Sequence, residues 1–216
     1  MIDLVPITLD PVRYDAKPSG HEIGIVTRRL QAAGPCEVTG EELADALANG
    51  QTWCGGCFEP NPRKWGRFIG QRIFAFDVDN DTAVLGEDGK PLKDEHNHVV
   101  KRDLHKGEKG FLDPWDALAR FRDLFGTDPL IMYPSFSFEQ PADLSSYPTR
   151  CKYRLLFDAG ESVKTEKRAK DVLTKLLRCF PEADQGCSSA NRLFFGSCGK
   201  AVLFREGRPY YAKRAR

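Results

Sequence analysis

Asp77 and Asp79 stand one residue apart in the stretch FAFDVDN, an otherwise apolar run from Phe74 to Val78. On a β-strand, alternate side chains share a face, so Ile73, Ala75, Asp77 and Asp79 point one way while Phe74, Phe76 and Val78 point the other. At strand rise the two acids have Cα atoms about 6.5–7 Å apart. Converging carboxylates at that spacing repel each other unless a cation or a basic group lies between them. Two later stretches bring other polar groups onto strand faces: Ser135 and Ser137 in YPSFSF, and Lys152 and Arg154 in CKYRLLFD. If these faces line one cleft, one wall offers hard oxygen ligands for Mg²⁺ or Mn²⁺ and the other offers phosphate donors. That chemistry is nucleotidyl transfer, in which metals stabilise the attacking and leaving oxygens and a third carboxylate is usually needed. Asp184, in FPEADQGCSSANRLFFG between an amphipathic helix and a strand, is the candidate for the third.

The elements that would position these residues are legible in part. Thr39 with Glu42 forms a capping box that opens a helix closed by Gly50. Asp113 and Pro114 start a second helix with Trp115, Leu118, Phe121 and Phe125 on one side, ending at Gly126. A third, expected from Ser162 to Phe180, carries Leu173, Leu176, Leu177 and Phe180 at helical spacing and stops at Pro181. Between the first helix and the Asp77 strand, EPNPRKWGRFIGQR sets Arg63, Lys64, Arg67 and Arg72 around Trp65 and Phe68. Residues 80–110 read as a long polar loop or a small excursion from the core. Pro134 demotes the YPSFSF strand toward an edge or a bulge. NRLFFGS and AVLF read as a hairpin, and the basic end as a frayed tail. The order of elements is that of an α+β fold with more than one sheet.

Composition bounds the rest. The 216 residues suffice for a real core, and 32 basic against 31 acidic residues leave a net charge of +1 that says little about partners. Seven scattered cysteines do not make a disulfide framework, and the opening MIDLVPITLDPVRYD has neither the basic nor the apolar region of a signal peptide. A cytoplasmic protein with no membrane partner is the expectation.

FAFDVDN, YPSFSF, KYRLLFD and ADQGCSSANRLFFGS, in that order and with EELADALANGQTW upstream, resemble the archaeo-eukaryotic primase superfamily, in the primase-polymerase branch of phages, plasmids and mobile elements. The resemblance covers roughly residues 38–200. It implies metal ligation by Asp77, Asp79 and Asp184, and a small α/β lobe against an RRM-like lobe with the site between their sheets. It further implies a catalytic core over 1–204, with lobes of roughly 1–110 and 111–204, and a basic tail or linker over 205–216. The expected activity is priming or polymerisation on a single-stranded DNA template, from nucleoside triphosphates with or without a primer, with a helicase or accessory domain as a further partner. The family's second motif is serine, any residue, then histidine. Here Ser135-Phe136-Ser137 has serine at the last position, and the shifted Ser137-Phe138-Glu139 has glutamate. Phosphate binding then falls on Lys152, Arg154 and Arg192, and template contacts on Arg63, Lys64 and Arg67.

Alternatives stand beside this reading. Asp77 and Asp79 could be strand-end acids at a solvated turn, and Asp184 could cap the turn at Gly186. Cys54 and Cys57 have the spacing of half a Zn²⁺ site that His96, His98 or His105 could complete, although free thiols are favoured. A nicking initiator would use His96 and His98 for metal and Tyr210 or Tyr211 as nucleophile. A non-catalytic RRM-like binder of single strands would stack bases on Trp65 and Phe68.

Overall fold

The computed structural model describes residues 4–138, 150–197, 200–204 and 210–213, and the chain is α+β. Its strands are β1 (Leu4–Leu9), β2 (Cys36–Thr39), β3 (Trp53–Cys54), β4 (Gly56–Phe58), β5 (Phe68–Val78), β6 (Asp81–Ala83), β7 (Lys101–Asp103), β8 (Ile131–Pro134), β9 (Tyr153–Val163), β10 (Leu193–Phe194), β11 (Lys200–Leu203) and β12 (Tyr210–Lys213). Its helices are α1 (Gly20–Ala33), α2 (Gly40–Ala48), α3 (Pro114–Phe125) and α4 (Glu166–Cys179), with a 3-10 turn at Gln185–Ser188.

Local chemistry explains the helix boundaries. Ser19 with Glu22 and Thr39 with Glu42 both close reciprocal capping boxes, so α1 and α2 begin where two otherwise orphaned backbone donors are satisfied. Asp113 caps α3 ahead of Pro114, and Gly126 ends it in the left-handed region at φ 69°. The α4 helix starts at Glu166, later than the expected Ser162, because β9 runs on to pair Val163 with Gln71 and Thr165 supplies the cap. The buried stripe of α3 is Ala117, Leu118 and Phe121, which leaves Trp115 73% exposed, against the sequence expectation.

Among the described residues all strand pairings are antiparallel. The larger sheet has the order β12-β11-β8-β9-β5-β4 and the smaller β10-β3-β1-β2, while β6 and β7 form a separate ribbon. The strand β8 is therefore internal rather than an edge. Pro134 is tolerated because it is the last residue of β8, beyond the two that β11 pairs, Ile131 and Met132. Helices α3 and α4 cover one face of the larger sheet, with Phe76 against Phe180 and Phe121 against both Phe157 and Phe180. The opposite face, which carries Ile73, Ala75 and Asp77, meets α2 and the smaller sheet, and Trp53 of β3 donates its indole N–H to Tyr133 of β8 at 2.9 Å. Because β5, from the first half of the chain, pairs with β9 from the second, the larger sheet spans the residue-110 boundary.

The expected hairpin of NRLFFGS with AVLF does not form. The backbone N–H of Ser197 donates to Leu47 at 2.7 Å, and a Cβ on Gly196 would meet the backbone of Gly50 at 2.6–2.7 Å. This anchorage on the end of α2 sends β10 to the smaller sheet and β11 to the larger. The tail also departs from the expectation, since Tyr210–Lys213 pairs with β11. Residues 80–110 are an excursion built on the β6–β7 ribbon, with bridges Leu85 to Pro91 and Lys93 to Val99.

Candidate active site

Register alone assembles the first row of the site. Asp77 lies opposite Arg154, and Arg154 opposite Tyr133, so three neighbouring strands put an acid, a cation and a phenol side by side on one face. The Arg154 guanidinium donates to Asp77 Oδ1 and to the Phe195 carbonyl, and stands 5.5 Å over the Tyr133 ring. Tyr133 donates to the same carbonyl at 3.2 Å while accepting from Trp53. Both charged side chains are about 10% exposed. Burial opposes the charge on Arg154, but Tyr133 and Asp77 outweigh it and hold its pKa above the ordinary value. Burial pushes the Tyr133 phenol up to about 12.

Asp184 comes to this row from the turn after α4. Its backbone N–H donates to the Asp77 carbonyl at 2.8 Å, and its two carboxylate oxygens divide their work. Oδ1 accepts from Gly186 N–H at 2.9 Å and caps the 3-10 turn, while Oδ2 accepts from Arg192 at 3.0 Å. Asp77 is divided in the same way, with Oδ1 on Arg154 and Oδ2 facing Arg192 at 3.8 Å. Cys187, fully buried, puts its thiol 3.9 Å from Asp77 Oδ2 and 4.0 Å from Asp184 Oδ2. Burial, and then Asp77, push that thiol up to about 12.

Among the described residues, Asp77, Asp184 and Cys187 are the one group of three metal-ligating side chains whose ligand atoms all lie within 4.8 Å of one another. Two carboxylates and a thiol at that separation fit a divalent cation. Asp79 is outside the group, because β5 ends at Val78 and the chain turns at Asn80, with φ 45°. It nevertheless lines the same cleft of about 480 Å³ with Asp77, Ser135, Ser137, Arg154 and Arg192. Burial, then Asp77, raise the Asp79 pKa above its ordinary value.

Other sequence-derived candidates lie elsewhere. Lys152 turns to Asp81 at 2.9 Å and Asp103 at 3.6 Å, in a neighbouring cavity of about 250 Å³ shared with Lys101, Arg102, Arg150 and Ser137. Arg63, Lys64 and Arg67 precede the start of β5, and Phe68 and Asp77 are about 30 Å apart along the strand. Arg67 is paired with Glu59, and Trp65 and Phe68 pack on Phe58, with ring centroids 4.8 and 5.5 Å away. Cys54 and Cys57 are buried free thiols, pushed up to about 12 and about 11 by burial, and Cys54 donates to Ala190 O at 3.1 Å. His96 and His98 are exposed in the excursion, beside Glu95 and Asp94. Glu139 and the side chains of Tyr210 and Tyr211 lie outside the described residues.

Sequence reasoning missed Cys187 and Lys17, which lines the cleft 5.7 Å from the Phe195 ring. Cys187 sits three residues from Asp184 in a stretch already singled out, and the spacing of a single turn is the signal that could have found it. Comparison of the chain with protein-family models, curated proteins and solved structures finds no match.

Proposed function

We propose that the chain is a divalent-metal-dependent nucleotidyltransferase of the primase-polymerase type, acting on single-stranded DNA. The observation that carries this reading is the convergence of Asp77 and Asp184, from elements far apart in sequence, on one point beside a cleft that also holds Asp79, Ser135, Ser137 and Arg192. Asp184 is the third carboxylate expected from its place between a helix and a strand and from the resemblance, and the Oδ2 atoms of Asp77 and Asp184 approach the same Arg192 nitrogen. The run β5-α3-β8-β9-α4, with spatial order β8-β9-β5, also supports an RRM-like lobe, because it supplies three strands and both helices of the split βαβ arrangement.

A divalent cation held by Asp77 and Asp184, with Asp79 on the open side, would polarise the attacking 3′-oxygen and the departing pyrophosphate. The chain's own groups bind and orient. Ser135 and Ser137 offer hydroxyls to the triphosphate, and Arg192 and Lys17, which line the same cleft, offer positive charge. Arg154 acts from beneath as the group that holds Asp77 in one rotamer, since it is already committed to Asp77 and to the Phe195 carbonyl. Single-stranded template and primer are the proposed macromolecular partners.

The test is incorporation of labelled nucleotides on a single-stranded template, with and without primer, using each nucleotide set and Mg²⁺, Mn²⁺ or Zn²⁺. Products that require template and metal support the reading. Template binding with no product under any of these conditions would reduce the chain to a single-strand binder.

A further inference from the structure

We infer that Cys187 is a thiolate ligand of the cation held by Asp77 and Asp184, which makes the site selective for thiophilic divalent ions such as Zn²⁺ and Cd²⁺ over Mg²⁺. The inference rests on the metal-site reading above and deepens it. Three features of the geometry carry it. First, the thiol is fully buried at the margin of the hydrophobic core, with the two Oδ2 atoms 3.9 and 4.0 Å from its sulfur. Second, those are the carboxylate oxygens that Arg154, on Asp77 Oδ1, and Gly186 N–H, on Asp184 Oδ1, leave to other partners, and one ligand atom from each of the three residues lies within 4.8 Å of the others. Third, a cation already stands at this point: Arg192 Nη2 is 3.0 Å from one Oδ2 and 3.8 Å from the other.

The donor set decides the cation class. Mg²⁺ demands near-octahedral oxygen ligation and makes no use of sulfur, whereas Zn²⁺ and Cd²⁺ gain from a thiolate at about 2.3 Å or slightly more. The observed spacings contract by small side-chain rotations, because the ligands come from one strand end and one turn joined by the Asp184 N–H to Asp77 carbonyl bond. On entry of the ion the S–H bond breaks, the metal–sulfur bond forms, and the proton leaves to the solvent, so uptake releases one proton per ion at this ligand. Arg192 yields the two Oδ2 atoms to the ion and is left facing the cleft.

The experiment titrates the full chain with Cd²⁺, without nucleotide, reading thiolate-to-metal charge-transfer absorption in the ultraviolet and affinity by calorimetry, with Mg²⁺ titrated in parallel. Wild type should show the charge-transfer band saturating at one ion. Cys187→Ser should lose the band and at least about tenfold in Cd²⁺ affinity, with Mg²⁺ affinity changed less than about twofold. Asp184→Asn keeps the thiol and should also lose the tight Cd²⁺ site, which tests the geometry without altering Cys187. A band that survives in Cys187→Ser belongs to another thiol and overturns the inference. So does a Cys187→Ser variant that only melts lower while binding Cd²⁺ as wild type does, since Cys187 is then a small core residue. Loss of the inference with template-directed incorporation intact would leave the proposed function standing. Absence of incorporation with the thiolate site intact would do the reverse.

Discussion

Removing Asp77 and removing Asp79 should have opposite effects on the stability of the metal-free protein, although the two acids are one residue apart. Asp77 shares a buried ion pair with Arg154, each side chain about 10% exposed. Asp77→Ala leaves that guanidinium buried between Tyr133 and the Phe195 carbonyl without its carboxylate partner. Breaking a buried pair by deleting one partner costs about 3–5 kcal/mol. For a domain of this size each kcal/mol lowers the melting temperature by about 2–4 °C, so the loss should be about 6–20 °C. Among the described residues Asp79 has no such ion pair to abandon, and its carboxylate is raised by burial and by Asp77. A raised carboxylate binds its proton more tightly in the folded state, so ionisation of Asp79 opposes folding as pH rises through the folded pKa. Asp79→Asn should therefore melt at or above wild type near pH 7, and the difference should vanish below the ordinary value of 3.8. Calorimetry in chelator from about pH 3 to 8 reads both effects. Equal losses for the two variants, or an Asp77→Ala that melts with wild type, would refute the assignment of Arg154 to Asp77.

Further consequences concern metal, cleft and periphery. Asp184→Asn keeps the oxygen that caps the turn at Gly186 but loses charge at the metal, so incorporation should fall strongly and recover in part with Mn²⁺; an unchanged metal dependence with a lower melting temperature would make Asp184 a turn residue. Arg192→Ala removes a half-exposed cation from both Oδ2 atoms, so calorimetry without nucleotide should find divalent-ion affinity raised by about two- to fivefold, while triphosphate affinity falls. Glu182, beside Arg120 at 2.7 and 3.1 Å, is opposed by burial but held below the usual range by that guanidinium. Its stabilisation is present above the ordinary value of 4.5 and lost as pH falls through the lower folded value, so Glu182→Gln should cost about 1 kcal/mol at pH 7 and progressively less as pH falls below 4.5 in denaturant titrations.

What could be read in the sequence were features with short range. The capping box at Thr39 and the Asp113-Pro114 start fix helices within a few residues, and strand alternation alone put Asp77 on the face of Ala75. The same box at Ser19 and Glu22 opens α1, which the sequence reading passed over along with β1. Pairing was less legible. That Pro134 can end an internal strand depends on how far β11 reaches, and the parting of β10 from β11 depends on Gly196 seated against Gly50. At the site, Asp77 is paired with Arg154, a cation from a partner strand 77 residues away, while Asp79 still feels the Asp77 charge. Cys187 went unweighed because a cysteine after Gly186 reads as a small core residue until the turn around Asp184 brings its sulfur to both carboxylates.

The most direct test of the central claim is the stoichiometry of pyrophosphate released per nucleotide incorporated on a single-stranded template. The account predicts one pyrophosphate per nucleotide, dependent on template and divalent metal, and its loss in Asp184→Asn protein that remains folded. Release without template, or release undiminished by Asp184→Asn, would contradict it.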